Sequence, residues 1–567
     1  MAEKIVSPGV FQRETDESFL SPLPVQVGAA VIGPTVKGPN EQPTVVTSFA
    51  DYKQKFGTTF QSGSQTYEFF TSIAAQKYFS QGGESLLVTR VTSGSFTSAE
   101  SSNIAPAPTV TASLGDSVFT LKTIGKGLNQ NNGTGSTDAG EEFGDGSLKS
   151  GSRDNIRWEV SSPVKSNGTF TLEIRRGDDN TVSPIVLETF TGLSLDPESD
   201  NYIAKRIGDQ YTSITSYDGQ SMVVVNGDNP NQSKYVYVSS VDITTPNYLN
   251  NDGSVGEDAD GNSYTLSLPR PGSGSFFNAS GSVIPVADVG NYFENINADN
   301  TQGLTGSDYT TALNILGNKD EYRFNTLSIP GIYNDDYSSV VADAIEMCET
   351  RGDVFYVADL SVHGSTIGDV TASAAELNTN HAGAYWPWVQ TPSTELSRNV
   401  WVPASTVMQG VYAFNDRVAA PWFAPAGLNR GGLPVVRAEV KLTQGLRDTL
   451  YDAKVNPIAT FPNSGVVAYG QKTLQTKASA LDRINVRRLL IALKNFIGDT
   501  SRNLVFEQNT TVTRNRFLNA VNPYLESVVQ RQGLYAFKVT MDETNNTADV
   551  VDRNQLVGQI VIQPTRS

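Results

Sequence analysis

The sequence predicts a multidomain chain of α/β plus β class, with α/β segments towards both ends and β-rich segments between them. Three observations carry this. Residues 25–98 and 320–500 alternate short apolar, β-prone runs with helical spacings, the pattern of a mainly parallel sheet flanked by helices. Residues 99–310 carry short β-like runs between Gly-, Asn- and Asp-rich turns. A length of 567 residues with 38% hydrophobic and 18% charged residues suits about three or four packed domains.

In chain order, residues 1–24 read as an extended arm, because Ser7-Pro8-Gly9 and Ser21-Pro22-Leu23-Pro24 turn the backbone away from helix. Residues 25–98 read as the small α/β part of a middle domain, with strands over 25–32 and 84–91 and a helix over 66–79. Tyr67, Phe70, Ala74 and Tyr78 share one face of that helix, and Gly82-Gly83 stops it. Residues 99–200 and 201–320 read as two β-rich, loop-rich stretches, divided near residue 200. Their turns are marked by Asn132-Gly133, Asp145-Gly146, Asn167-Gly168 and Asp252-Gly253.

Residues 321–548 form an α/β core. Strands are expected at 326–329 and 354–358, with helices at 336–349, 372–379 and 484–497. A long helix over 511–532 contains Pro523, which should kink or divide it. A strand over 534–541, a polar break and a last β-prone run over 556–562 follow. Residues 549–567 read as a C-terminal arm.

Rare residues exclude whole classes of chemistry. Cys348 is the only cysteine, so an internal disulfide, a CxxC motif and a four-cysteine zinc site are impossible within one chain. His363 and His381 are the only histidines, too few for a three-histidine metal site, and they do not form an HExxH helix. No catalytic, metal or cofactor residue is assigned, no cofactor is expected, and the chain is read as a non-enzyme. The opening MAEKIVSPGVFQRE has no apolar signal core and no stretch nears a membrane span, so neither secretion nor membrane insertion is expected.

Charge is unevenly spread. The chain carries a net −17, but from Arg430 onward 18 Lys+Arg face 11 Asp+Glu, a net +7, leaving −24 on residues 1–429. An acidic body with a basic C-terminal quarter suggests two surfaces with different partners. A solvated basic helix face and a face that docks on something acidic both fit. The overall acidity argues against direct nucleic-acid binding.

Other motifs resolve into ordinary structure. Gly125-Lys126-Gly127 lacks the spacing of a phosphate loop, and no Gly-x-Gly-x-x-Gly follows the strands. Asp258-Ala259-Asp260-Gly261-Asn262 resembles the start of a calcium loop, but Ser263 and Pro269 stand where Gly and Glu are required, so a turn is expected. Ser365 lies near His363 without a nucleophile elbow. Arg351-Gly352-Asp353 falls at a helix-to-strand turn, where Gly and Asp are expected anyway.

The last third carries a dense series of unusual strings: Tyr385-Trp386-Pro387-Trp388-Val389, Val402-Pro403-Ala404-Ser405, Gly410-Val411-Tyr412-Ala413, Ala424-Pro425-Ala426-Gly427, Val455-Asn456-Pro457-Ile458, Tyr469-Gly470-Gln471-Lys472-Thr473-Leu474, Ile484-Asn485-Val486-Arg487-Arg488-Leu489 and Phe506-Glu507-Gln508-Asn509. In order and spacing this series resembles the tail sheath protein of contractile-tailed bacteriophages (myoviruses). Ser7-Pro8-Gly9-Val10 and Ile32-Gly33-Pro34-Thr35-Val36-Lys37-Gly38-Pro39 agree with it. The resemblance covers about residues 1–95 and 325–567. It implies a family-like α/β core built from N- and C-terminal parts, with inserted β-rich outer domains. The family pattern would continue past Gln563-Pro564-Thr565-Arg566-Ser567 with one more apolar strand.

The resemblance implies a structural subunit that polymerises into helically stacked hexameric rings around an inner tail tube and contracts to drive the tube through the host envelope for genome delivery. The implied partners are other copies of the chain, the tail tube protein, and the baseplate and tail terminator proteins. The implied location is the virion tail, assembled in the host cytoplasm. Sheaths of phage-derived bacteriocins and contractile injection systems are the nearest alternative; an α/β enzyme or a surface adhesin is the alternative of another class. Such sheaths link subunits by exchanged strands, for which Ile5, Val6, Val10, Phe11, Val557, Ile560, Val561 and Ile562 supply β-prone residues. Arg514, Arg516 and Arg531 are the tube-facing basic candidates, with Arg487 and Arg488 either sharing that role or pairing internally. Trp386, Trp388, Trp401 and Trp422 are expected to pack rather than stack on a ligand.

Overall fold

A computed structural model describes residues 26–62, 65–104, 117–132, 142–259, 261–281 and 296–565. It is a mixed α/β chain with many sheets, organised about one of eight strands. The order across that sheet is Thr44–Val46, Leu86–Arg90, Gln26–Gly33, Arg323–Tyr333, Phe355–Asp359, Ala382–Trp386, Val455–Phe461 and Gly465–Ala468. The six central strands run parallel and the two outermost are antiparallel to their neighbours. A parallel sheet is covered on both faces, which is why Leu86–Arg90, Phe355–Asp359 and Ala382–Trp386 are buried at every position. The helices Phe70–Ser80, Asn334–Arg351 and Ser405–Val418 cover it, and Phe70, Val341, Trp388 and Val407 share its largest apolar cluster.

The sheet joins residues from both ends of the sequence. Gln26–Gly33 lies between Leu86–Arg90 and Arg323–Tyr333, pairing Ala29 with Leu86 on one side and with Thr326 on the other. Residues 26–90, expected as part of a middle domain, therefore contribute strands to the same sheet as residues 323–468. The β-rich region has its own apolar cluster, including Phe119, Trp158, Leu172, Ile203 and Val236. Its strand pairing runs across residue 200. Val236–Val241 pairs with Ser117–Lys126, and Gly272–Ser275 with Ile156–Val160, so sheet and core are continuous where a division was expected.

Two helices differ from expectation. Residues 65–68 form a strand, Gln65–Glu68, and the helix begins only at Phe70. Phe60 and Tyr67 are paired across a hairpin with ring centroids 5.6 Å apart, and this cross-strand contact outweighs the helical spacing of Tyr67. The helix expected over 372–379 spans Ile367–Ala375 instead. Thr366 caps it in a reciprocal box with Asp369, a start signal six residues upstream of the expected start. Among the described residues no helix is long and apolar enough to cross a membrane, and no group of three or more His, Cys, Asp or Glu could hold a metal ion.

Candidate assembly surface in the C-terminal module

The C-terminal module is built on two helices, Ile484–Arg502 and Thr511–Gln530, and a two-stranded antiparallel sheet, Leu534–Thr540 with Gln559–Pro564. Leu489, Leu493, Phe517, Val521, Leu525 and Val528 form its core with Trp422, and Phe496 stacks on Tyr524 at 3.7 Å between ring centroids. Pro523 lies inside the second helix without dividing it.

The last strand shows the two-residue period of a half-buried strand. Ile560 and Ile562 turn towards the helical cluster, where Phe537 and Val539 face them across the sheet, while Val561 is 55% exposed. This segment, expected to be donated to a neighbour, is paired within its own chain here. Each of the two strands keeps a second edge with no strand partner among the described residues. Ile5, Val6, Val10 and Phe11 lie outside the described residues.

A polar network that sequence reasoning missed fixes the strand's approach. Asn546, almost fully buried, accepts from the Val557 amide at 2.9 Å and donates to the Val557 carbonyl at 2.8 Å. Asn509 donates to Asn546 Oδ1 at 3.0 Å and to the Gln555 carbonyl at 2.9 Å, and Arg514 Nε donates to Asn509 Oδ1 at 2.8 Å. Arg514, a candidate for tube contact, is therefore only 8% exposed and engaged inside the module.

The other candidates divide. Arg531 lies over the Trp422 indole at 4.9 Å and donates to the Ala419 carbonyl at 3.1 Å. Arg516 stands out from its helix with its side chain 64% exposed, 4.0 Å from Glu507. Arg487 and Arg488 turn inward. Arg488 pairs with Asp416 at 2.5 Å over the Tyr412 ring, while Arg487 Nη2 donates to His381 Nε2 at 2.5 Å. Since His381 Nδ1 faces the Val354 carbonyl at 3.0 Å, Nδ1 carries the proton and the ring is neutral. Burial pushes the His381 imidazole below its usual range and lowers the Arg487 guanidinium to about 10.

Beside the strand edge lies a groove of about 940 Å³, lined by Ile497, Leu504, Phe517, Met541, Leu556 and Ile560 among others. Phe506 stands on its rim, fully exposed and at φ +69°, a left-handed conformation unusual for a bulky side chain. Val505 is 60% exposed beside it. Val505 and Phe506 thus form an apolar pair left in water on the wall of this groove.

Other sequence candidates take structural roles. Trp386, Trp388 and Trp422 are buried, and His363 contacts the rings of Trp388 and Trp401. Arg351 is engaged by Asp353 and by the carbonyls of Leu316 and Tyr322. Asp258 accepts from the Asn262 amide at 2.8 Å, closing the turn expected there; Asp260 lies outside the described residues.

The comparisons agree with the fold and with this module. Over 95% of both chains, the fold is similar to that of a sheath tail protein from Listeria innocua, with a TM-score of 0.52 at 10% sequence identity. The chain is thus a mixed α/β, many-sheeted protein of sheath-tail-like fold. Residues 476–567 match the phage tail sheath C-terminal domain. A 171-residue stretch is 43% identical to the tail sheath protein of Vibrio phage KVP40, and a 170-residue stretch 41% identical to that of Enterobacteria phage T4. Each match covers 30% of this chain and 26% of the relative, so the similarity spans about a quarter of the length of these curated proteins.

Proposed function

We propose that this chain is the structural subunit of a contractile tail sheath. In this reading it polymerises as helically stacked hexameric rings around an inner tube and contracts to drive the tube through a host envelope, delivering a genome. The observation that carries it is the C-terminal module, in which a tail sheath domain presents a sheet with open edges beside an exposed apolar pair. Open edges add strands from neighbouring chains by main-chain hydrogen bonding, and a head-to-tail contact of this kind propagates into rings and helices. The neighbour's residues 1–24, with Ile5, Val6, Val10 and Phe11, are the proposed added strands; Ile560, Val561 and Ile562 belong to the sheet that receives them, and Val557 stands just before its last strand. Contraction is then a move between two packings of linked subunits that needs no nucleotide.

Other copies of the chain, the tube protein and the baseplate and terminator proteins are the proposed partners, in the tail of a virion assembled in the host cytoplasm. The β-rich residues between the two parts of the central sheet are proposed as outward domains inserted into the core. Arg516 is the tube-facing candidate best placed to act, since Arg514 is buried within the module and Arg531, although exposed, is held over Trp422 and by the Ala419 carbonyl. Electron microscopy of the chain co-expressed with its tube protein tests the proposal. Tubes with a helical surface lattice are expected; dispersed monomers under those conditions would refute it.

A further inference from the structure

A second surface, far in sequence from the C-terminal module, has the make-up of a ligand site. Two hollows of about 530 and about 170 Å³ share Gln42 and Ile124 at their junction. The larger lies within the size range of small-molecule sites. One of its walls is the hairpin formed by Tyr211–Tyr217 and Gln220–Asn226. Tyr211 stacks on Tyr237 with ring centroids 5.8 Å apart and stays 48% exposed, so an aromatic surface is open to the hollow.

Around the rings are amides and hydroxyls. Asn231 accepts from the Gln210 amide at 3.1 Å and donates to its carbonyl at 2.5 Å, which fixes that part of the lining. Gln42 Oε1 accepts from the Thr212 hydroxyl at 2.8 Å, which leaves the Gln42 amide N–H groups to a ligand.

The charge is the reverse of its surroundings. Residues 1–429 carry a net −24, yet Lys37, Lys55, Lys126 and Lys234 line these hollows with Asp154 as the one lining carboxylate. Lys37 pairs with Asp154 at 3.6 Å and Lys55 with Asp51 at 3.1 Å. Among the described residues the ammonium groups of Lys126 and Lys234 make no ion pair. Burial holds the Lys126 ammonium below the ordinary lysine range, although Glu41 attracts it. A bound anion would relieve that penalty.

We propose that this groove binds an acidic oligosaccharide. The apolar face of a sugar ring covers Tyr211, its hydroxyls meet the Gln42 side-chain amide and the Ser213 hydroxyl that lines the hollow, and a carboxylate on the sugar takes a charge-assisted hydrogen bond from Lys126. An acidic peptide would satisfy the lysines but would leave the polar lining around the tyrosine pair without hydroxyl partners.

Titration calorimetry on the full chain tests this with four probes: trigalacturonate, a sialic acid trimer, maltotriose as a neutral counterpart and a hexaglutamate peptide. At least one acidic trisaccharide is expected to bind. Lys126→Met and Tyr211→Ala should each weaken it at least about tenfold, and Lys126→Arg should restore most of it. Three results would overturn the proposal: no acidic trisaccharide binds, the two variants bind like the parent, or a hexaglutamate peptide binds tighter than both sugars. The last would make the groove a protein-docking surface instead. Unchanged melting of the variants excludes a folding defect as the cause of any loss.

Discussion

Asn546 grips Val557 by both of its backbone groups, accepting from the amide at 2.9 Å and donating to the carbonyl at 2.8 Å. One buried side chain thus imitates the edge of a strand and sets where the last strand begins. Replacing it with Ala leaves the Val557 groups without these partners and costs about 1–3 kcal/mol locally. Hydrogen exchange of Asn546→Ala should show residues 559–564 losing protection while the central sheet keeps its own.

Phe506 is fully exposed, so its replacement should leave the monomer intact. Surface changes usually stay within about 0.5 kcal/mol. Phe506→Ser is expected to melt with the parent chain yet give several-fold fewer tubes when co-expressed with the tube protein. Equal tube yield would remove this residue from the assembly surface.

Arg488 is buried against Asp416 and over Tyr412. Arg488→Met keeps much of the volume but leaves Asp416, whose side chain is one-third exposed, without its counter-charge. A loss of about 2–3 kcal/mol is expected, below the range for a fully buried pair because water reaches Asp416. Chemical denaturation measures it, and Asp416→Asn, which leaves the buried Arg488 guanidinium without its counter-charge, should cost at least as much.

Two buried groups give opposite pH dependences. Burial raises the Asp359 carboxyl to about 7, although the Ser405 amide and hydroxyl both donate to it. Its unfolded counterpart ionises near about 4, so this group's contribution to stability falls as pH rises from about 4 to about 7. His381 is held neutral beside Arg487, with Glu349 and Lys494 also facing it, and its folded value lies below the usual range. Its contribution is complete above about pH 6.5 and is lost as pH falls below that. The melting temperature of Asp359→Asn relative to the parent should therefore increase from about pH 5 to about pH 8, while that of His381→Gln should decrease.

The parallel sheet was legible because its strands are buried on both faces and read as short apolar runs between helical spacings. The alternation of Ile560, Val561 and Ile562 likewise showed a half-buried strand. Partners reached through folding were not legible. Nothing in the spacing of Gln65–Glu68 shows that Phe60 lies across from Tyr67, and helical periodicity claimed those residues instead. Thr366 and Asp369 were a readable start signal, but the apolar spacing drew the helix downstream. Arg514 and Arg531 looked available as charges, because sequence shows a cation but not the carbonyl, amide or indole that engages it. The two joined hollows near Tyr211 were invisible for the same reason, since Lys126 of the larger and Lys37, Lys55 and Lys234 of the smaller come from four separate segments.

The position of Gln26–Gly33 also bears on biosynthesis. Its partner Arg323–Tyr333 emerges from the ribosome about 300 residues later, some 15–60 s at ordinary elongation rates. Throughout that interval a strand meant for the middle of the sheet has one edge bare, and its apolar side chains lack the layer that will bury them. Nascent chains are therefore most exposed to wrong pairing midway through translation, and the cell's holding chaperones meet this protein first at its N-terminal strands.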